Sequence, residues 1–174
     1  DGPPRPDDPR LAGAETRVVA SAAASLAAAA RAFEDAGVAT RLLDDAVTGD
    51  ARRAARDQAE EVRSVLRSGR LRDGGPCRPP VVLLSGGETT VRVRGGGRGG
   101  RNSTFALALA LALPDGAPVH ALVADSDGID GVGGHAGAFL DPELFARLPR
   151  AEAEALDADD DSYRAFERAG ALFR

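Results

Sequence analysis

Three groups of residues have the types and spacing to do chemistry. The first lies in Ser85 to Asn102, SGGETTVRVRGGGRGGRN, where Gly95, Gly96, Gly97, Gly99 and Gly100 stand among Arg98 and Arg101 just before an apolar run. Glycine backbone approaches ligands closely and adopts positive φ, so this loop can aim several amide N–H groups at one anion. A phosphate or carboxylate is the expected guest. The second group is Asp125, Asp127 and Asp130 in DSDGIDG. Such carboxylates can hold Mg²⁺ together with substrate phosphate, supply a base to a hydroxyl, or simply form an acidic turn. The third is Glu88, which reads either as a carboxylate held near the arginines or as a solvent-facing turn residue.

Known cradles test the glycine loop. Gly95, Gly97 and Gly100 fit GxGxxG, but the acid that should follow about 20 residues later, after a second strand, is poorly matched by Asp125. Gly95 and Gly100 also have Walker A spacing, with Arg101 and Asn102 in place of Lys and Ser/Thr. Neither motif is satisfied. What remains is a glycine nest running into a helix N-terminus, whose orphan amides and dipole favour an anion; the alternative is a flexible hairpin tip. An EF-hand is excluded, because Ile129 falls on a ligand position and Asp130 on that of the required glycine.

These loops must be placed by regular elements. Arg17 to Ser21 reads as a short strand, Ala22 to Ala36 as an Ala-rich helix ending at Gly37, Ala39 to Leu43 as a second strand, and Asp50 to Arg67 as a charged helix. Its apolar stripe is Ala51, Ala54, Ala55, Ala59, Val62, Val65 and Leu66, and Gly69 follows it. Strand, helix, strand, helix predicts parallel pairing. Arg70 to Pro80, with DGGP and Pro79-Pro80, reads as a linker. Val81 to Leu84 predicts a buried strand, and the alternation in Thr89 to Arg94 a half-wet one, the two joined by a hairpin across Gly86-Gly87. Phe105 to Leu113 alternates like a strand, yet Ala and Leu are the best helix formers, so a helix buried on two sides and capped by Asn102 or Ser103 is expected. Val119 to Ala124 is a further strand; Ala136 to Leu148 and Asp161 to Phe173 are weaker helical segments. The charged run Glu152 to Asp161 reads as a solvated face.

Composition narrows the functions. The chain has 174 residues, 43% of them hydrophobic, and a formal charge of −5. That suits a globular α/β protein and speaks against non-specific attraction to nucleic acid or an anionic membrane. One cysteine, Cys77, rules out an internal disulfide framework and a cysteine-built zinc site, and with the absence of a membrane-length apolar run it makes the cytoplasm the expected setting. His120 and His135 have no second His or Cys at ligand spacing, so neither is read as a metal ligand. The opening DGPPRPDDPR lacks Met and is Pro-rich, so residues 1–13 are expected to be a disordered lead-in and the chain a fragment.

The runs LLSGGETTVRVRGGGRGGRN, DSDGIDG, AGAF and DSYRAFERAGALF, at these separations, resemble the C-terminal half of the glycerate 2-kinase family that carries the MOFRL domain. Some of its members bear the name hydroxypyruvate reductase. The resemblance implies part of a Rossmann-like parallel-sheet domain over 14–69, the linker over 70–80, and a smaller α/β MOFRL domain over 81–174, C-terminally incomplete. It implies transfer of the ATP γ-phosphoryl group to the 2-hydroxyl of D-glycerate, with Mg²⁺, in a cleft between two α/β domains. Carried onto this sequence, the catalytic positions are Arg101, Asp127 and Asp130. The binding positions are Ser85, Gly86, Gly87, Glu88, Thr89, Gly97, Gly99, Gly100, Asn102 and Gly128, with Asp127 as the candidate Mg²⁺ ligand. Departures from the family pattern include Ser103-Thr104 after GGRN, Ser126 where Thr is usual, and the lack of a closing TGPTGTNVND segment and of the part that supplies a catalytic Lys. The chain by itself is therefore expected not to turn over substrate. A non-catalytic anion-binding module and a nicotinamide-dependent reduction of hydroxypyruvate are the alternatives; oligomeric state, a homo-oligomer included, stays open.

Overall fold

The computed structural model describes residues 4–5, 8–15, 17 and 21–174; the strand expected over Arg17 to Ser21 lies mostly outside them. Helix α1, Ala22–Asp35, starts at Ser21, whose side chain accepts from the Ala24 amide, and stops before Gly37 at φ 79°. Strand β1, Ala39–Asp50, leads into helix α2, Ala51–Ser68, with Asp50 as its N-cap and Gly69 in the left-handed conformation at its end. The predicted stripe faces inward: Ala51, Ala54, Ala55, Ala59 and Val65 are buried, whereas Leu66 stays exposed.

Strand β2, Val81–Thr90, returns parallel to β1, from Ala39 opposite Val81 to Asp50 opposite Thr90. The hairpin across Gly86-Gly87 does not form, because β2 runs straight through both residues. Gly87 instead allows close strand approach: it faces Val47 at φ 154°, where a Cβ would collide with the Val47 backbone. The second half of the expected Thr89 to Arg94 strand is likewise absent, since Val91 to Arg94 have no strand beside them. Arg70 to Pro80 lies within the α2 crossover that joins the two paired strands.

Helix α3, Arg101–Ala112, resolves the conflict between propensity and alternation in favour of propensity. Both ridges are covered. Leu107, Leu109, Phe105 and the following Leu113 are buried, with the alanine face of α2 on one side and the antiparallel sheet on the other. That sheet consists of β3, Ala121–Ala124, β4, Gly137–Leu140, and β5, Leu172–Phe173, with β4 in the middle. Here the expectation of helix over Ala136 to Leu148 fails. Ala138 and Leu140 are needed as a strand against α3, and helix is confined to α4, Leu144–Arg147. Helices α5, Arg150–Ala158, and α6, Ser162–Arg168, close the remaining flank of α3. Among the described residues no helix is long and apolar enough to cross a membrane.

Candidate functional site

The glycine loop meets the acidic loop at the N-terminus of α3. Thr89, Gly97, Gly99, Gly100, Arg101 and Asp127 border an open cleft of about 500 Å³, together with Asp125, Asp160 and Ile129. The proximity that the sequence reading required is present.

Arg101 is one of the residues lining that cleft. As the first residue of α3 it donates through Nε and Nη2 to one oxygen of Asp125, at 3.1 and 2.7 Å, and through Nη1 to Glu88 at 2.8 Å. Asn102 Nδ2 donates a hydrogen bond to the same Asp125 oxygen at 3.3 Å. Burial alone would raise the Asp125 pKa, but the hydrogen bonds and charge of Arg101 outweigh it and hold the carboxyl below its usual value. Arg101 is correspondingly raised, by Asp125 first and Glu88 second. The two partners differ in kind: Glu88 is 78% exposed and Asp125 13%. An exposed pair gains little net energy, so the Glu88 edge of the guanidinium is the exchangeable one.

Asp130 has a different place. It is 1% exposed, and its two oxygens accept the amides of Asn102 at 2.9 Å and Ser103 at 2.7 Å. It therefore caps α3 from a remote loop, while the helix's own flanking residue is Gly100. Capping by Asn102 or Ser103 is thus corrected. Asn102 lies inside the first turn, and the Ser103 hydroxyl accepts from the Gly100 amide at 3.0 Å. Behind Asp130 sits His135, fully buried, its Nε2 3.5 Å from an Asp130 oxygen and both ring nitrogens without a hydrogen-bond partner among the described residues. Burial keeps its pKa below the ordinary value despite Asp130, and Tyr163 packs edge-on against the ring.

The amides of the glycine loop are engaged as well, though by the chain itself. Arg94 and Gly95 donate to Asp160 Oδ2, the latter at 2.7 Å, and Gly96 donates to Asp159 Oδ1 at 3.1 Å. Gly97 donates to the Asp159 carbonyl at 2.9 Å, and Arg98 to Asp161 Oδ1 at 3.1 Å. The run Glu152 to Asp161 is hence not a solvated face throughout, because Asp160 and Asp161 are buried beneath this loop. Of the amides between 94 and 101, those of Gly99 and Arg101 alone have no partner among the described residues.

The other predicted positions are more scattered. Ser85 accepts from the Gln58 amide nitrogen at 2.6 Å, Gly86 lies under Leu26, and Gly87 is occupied with strand pairing; none of the three borders the cleft. Gly128 turns the acidic loop at φ 86°. Asp127 is exposed, with Oδ1 accepting the Ile129 amide at 2.9 Å. Among the described residues no three His, Cys, Asp or Glu side chains converge on a metal position. Mg²⁺ is commonly held by one or two carboxylates with waters and phosphate oxygens completing its shell, and exposed Asp127 could offer one such carboxylate.

Residues 81–174 match the MOFRL family. The chain belongs to that family. Over 167 residues it is 42% identical to a MOFRL relative of Agrobacterium vitis that carries the name of a candidate hydroxypyruvate reductase, covering 91% of this chain and 36% of the relative. It is 32% identical over 160 residues to a glycerate 2-kinase of Pyrococcus horikoshii, covering 89% of this chain and 34% of that one. A crystal structure of a glycerate kinase from Thermotoga maritima superposes with a TM-score of 0.82 at 28% identity, over 91% of this chain and 38% of that chain. The MOFRL chain thus spans well under half the length of these relatives.

Sequence reading did not single out Asp125 as the partner of Arg101, nor Asp159 to Asp161 as holders of the loop. A signal for the latter was present. Asp161-Ser162-Tyr163-Arg164 is an N-cap pattern, which places an acidic side chain at the start of α6.

Proposed function

We propose that the cleft forms part of a glycerate 2-kinase active site, in which the γ-phosphoryl group of ATP passes to the 2-hydroxyl of D-glycerate. One observation carries this reading: Arg101 lines the cleft with one edge locked to Asp125 and the other paired only to exposed Glu88. That outer edge, with the unpartnered amides of Gly99 and Arg101 beside it, suits a phosphoryl group or the glycerate carboxylate. In the transfer, the hydroxyl oxygen bonds to phosphorus as the bond to the ADP oxygen breaks. The hydroxyl proton goes to a carboxylate, for which exposed Asp127 is the candidate. In the alternative role, Asp127 would hold Mg²⁺ together with substrate phosphate, and the ion would supply charge neutralisation there while the proton passes to solvent. Asp130 moves from chemistry to support, since both its oxygens serve α3. The names of the relatives in Pyrococcus and Thermotoga favour phosphoryl transfer. The setting on this reading is the cytoplasm, where ATP is present.

The reductase reading gains nothing from the GxGxxG spacing, because the amides of Gly95 and Gly97 already hold Asp160 and Asp159. Titration calorimetry with Mg-ATP and D-glycerate, followed by coupled detection of ADP release, tests the proposal. Binding of both ligands to this chain, and ADP release lowered about 10²- to 10³-fold in kcat/KM by Arg101→Ala in an enzyme of the relatives' full length, is the expected result. Binding without ADP release in the full-length enzyme as well identifies an anion-binding module. Oxidation of NADH with hydroxypyruvate, and no ADP release, replaces the kinase reading.

A further inference from the structure

We infer that the corner Asp159-Asp160-Asp161 is the positioning element of the glycine loop, with Arg52 as its counter-charge, and that this corner sets where Arg101 stands. The inference draws on the kinase reading only for what Arg101 does there. Its observational basis is the run of five consecutive amides, Arg94 to Arg98, all donating to these three aspartates. A nest of amides of this kind is suited to a free anion. Here the anion is built into the chain. Asp160 Oδ1 accepts from Arg52 Nη2 at 2.7 Å, and Arg52 also donates to the Asp157 carboxylate at 2.8 Å and carbonyl at 2.7 Å. One buried arginine therefore ties α2 to the α5–α6 corner, and that corner holds the loop. On the far side the Tyr163 amide donates to the Arg98 carbonyl at 2.9 Å, and the Arg98 guanidinium lies 4.3 Å from the Tyr163 ring centre.

The glycines are what make this contact. A Cβ at Gly95 or Gly97 would collide with the Asp159 backbone, so the loop lies on the corner with no side chain between them. Arg101 follows three residues after the last tethered amide, and the next turn of backbone is held by Asp130. Its start is fixed from both directions. Burial would raise the Asp160 pKa, but the Arg94 and Gly95 amides and Arg52 prevail, so the carboxylate stays charged.

Amide hydrogen exchange and chemical shifts of the whole 174-residue chain test this directly. Asp160→Ala is expected to speed exchange at Arg94 and Gly95 by about tenfold or more, with the α3 core amides unchanged, and to shift the Arg101 Nε–H resonance. Asp160→Asn, which keeps an acceptor, is expected to restore most of that protection. Should Asp160→Ala fail to fold, Asp159→Ala reads the same contact through Gly96 alone. Inorganic phosphate is then titrated into the wild-type chain, with movement expected at Gly99 and Arg101 and not at Gly95 to Gly97. Unchanged exchange in these variants, or phosphate displacing the aspartates from Gly95 to Gly97, overturns the inference. Loosening of the loop as expected, in a chain whose Arg101 answers neither Mg-ATP nor D-glycerate, upholds the positioning role and sinks the kinase reading instead.

Discussion

Helices α1 and α3 are both rich in alanine, yet α1 has no buried residue among those described and α3 buries eight of its twelve. Richness in alanine does not separate them. What separates them is the number of elements that cover each one. α3 lies between α2 and the antiparallel sheet, with α5 and α6 along its side, so both leucine ridges are removed from water. α1 rests on β1 and β2, reaching Gly86 through Leu26, while Phe33 remains 40% exposed. Hydrophobic stabilisation follows area removed from water, and an alanine helix covered on one side contributes little of it.

The comparison can be broken by matched truncations. Leu107→Ala in α3 is expected to destabilise the chain by about 2–5 kcal/mol, since the cavity it leaves is closed on both sides. Leu26→Ala in α1 is expected to cost about 1 kcal/mol or less. Urea unfolding of the two variants side by side measures both, and equal costs would mean that α1 packs as tightly as α3. A second variant asks how much of α3 depends on its remote cap. Asp130→Ala frees the amides of Asn102 and Ser103 in a buried setting, with an expected loss of about 1–3 kcal/mol and faster exchange at those two amides. Among the described residues no comparable remote carboxylate serves α1, whose cap is its own Ser21, so Ser21→Ala is expected to cost about 1 kcal/mol at most.

The smallest effect concerns pH. His135 behind the α3 cap has a folded pKa lowered from 6.5 by burial, with Asp130 opposing and Arg174 and Arg98 adding to the shift. The unfolded chain then binds the proton first as pH falls. Stability from neutral His135 is complete above pH 6.5, declines as pH drops below that value, and levels off once the folded state also protonates. Urea midpoints between pH 8 and 5 should fall more for wild type than for His135→Gln; parallel profiles would show that another group is responsible.

The fold was partly legible. Asp50, Gly69 and the alanine stripe between them mark α2 almost to the residue, because caps and 3.6-residue periodicity act locally. Local signals failed at Gly86-Gly87, where a turn pair turned out to be a close-packed strand crossing, and at Gly137 to Leu140, where four residues follow the needs of a neighbouring helix. The site divides in the same way. Arg101 and the acidic loop were visible as chemistry-bearing residues, but whether a carboxylate was free depended on partners far away in sequence. Asp125 went to Arg101, Asp130 to the start of α3, and Asp127 to neither.

Sequence alone determined where α1, α2 and α3 form and stop, and that a glycine-rich loop was suited to negative charge, since each follows from backbone freedom and side-chain chemistry within a few residues. Only the tertiary structure decided whose charge that would be. Arg94 to Arg98 and Asp159 to Asp161 lie more than sixty positions apart, and their union depends on α2, α5 and α6 packing so that Arg52 meets Asp160. Hydrogen bonds over such separations form only after the chain entropy of closing the loop has been overcome by the core around α3.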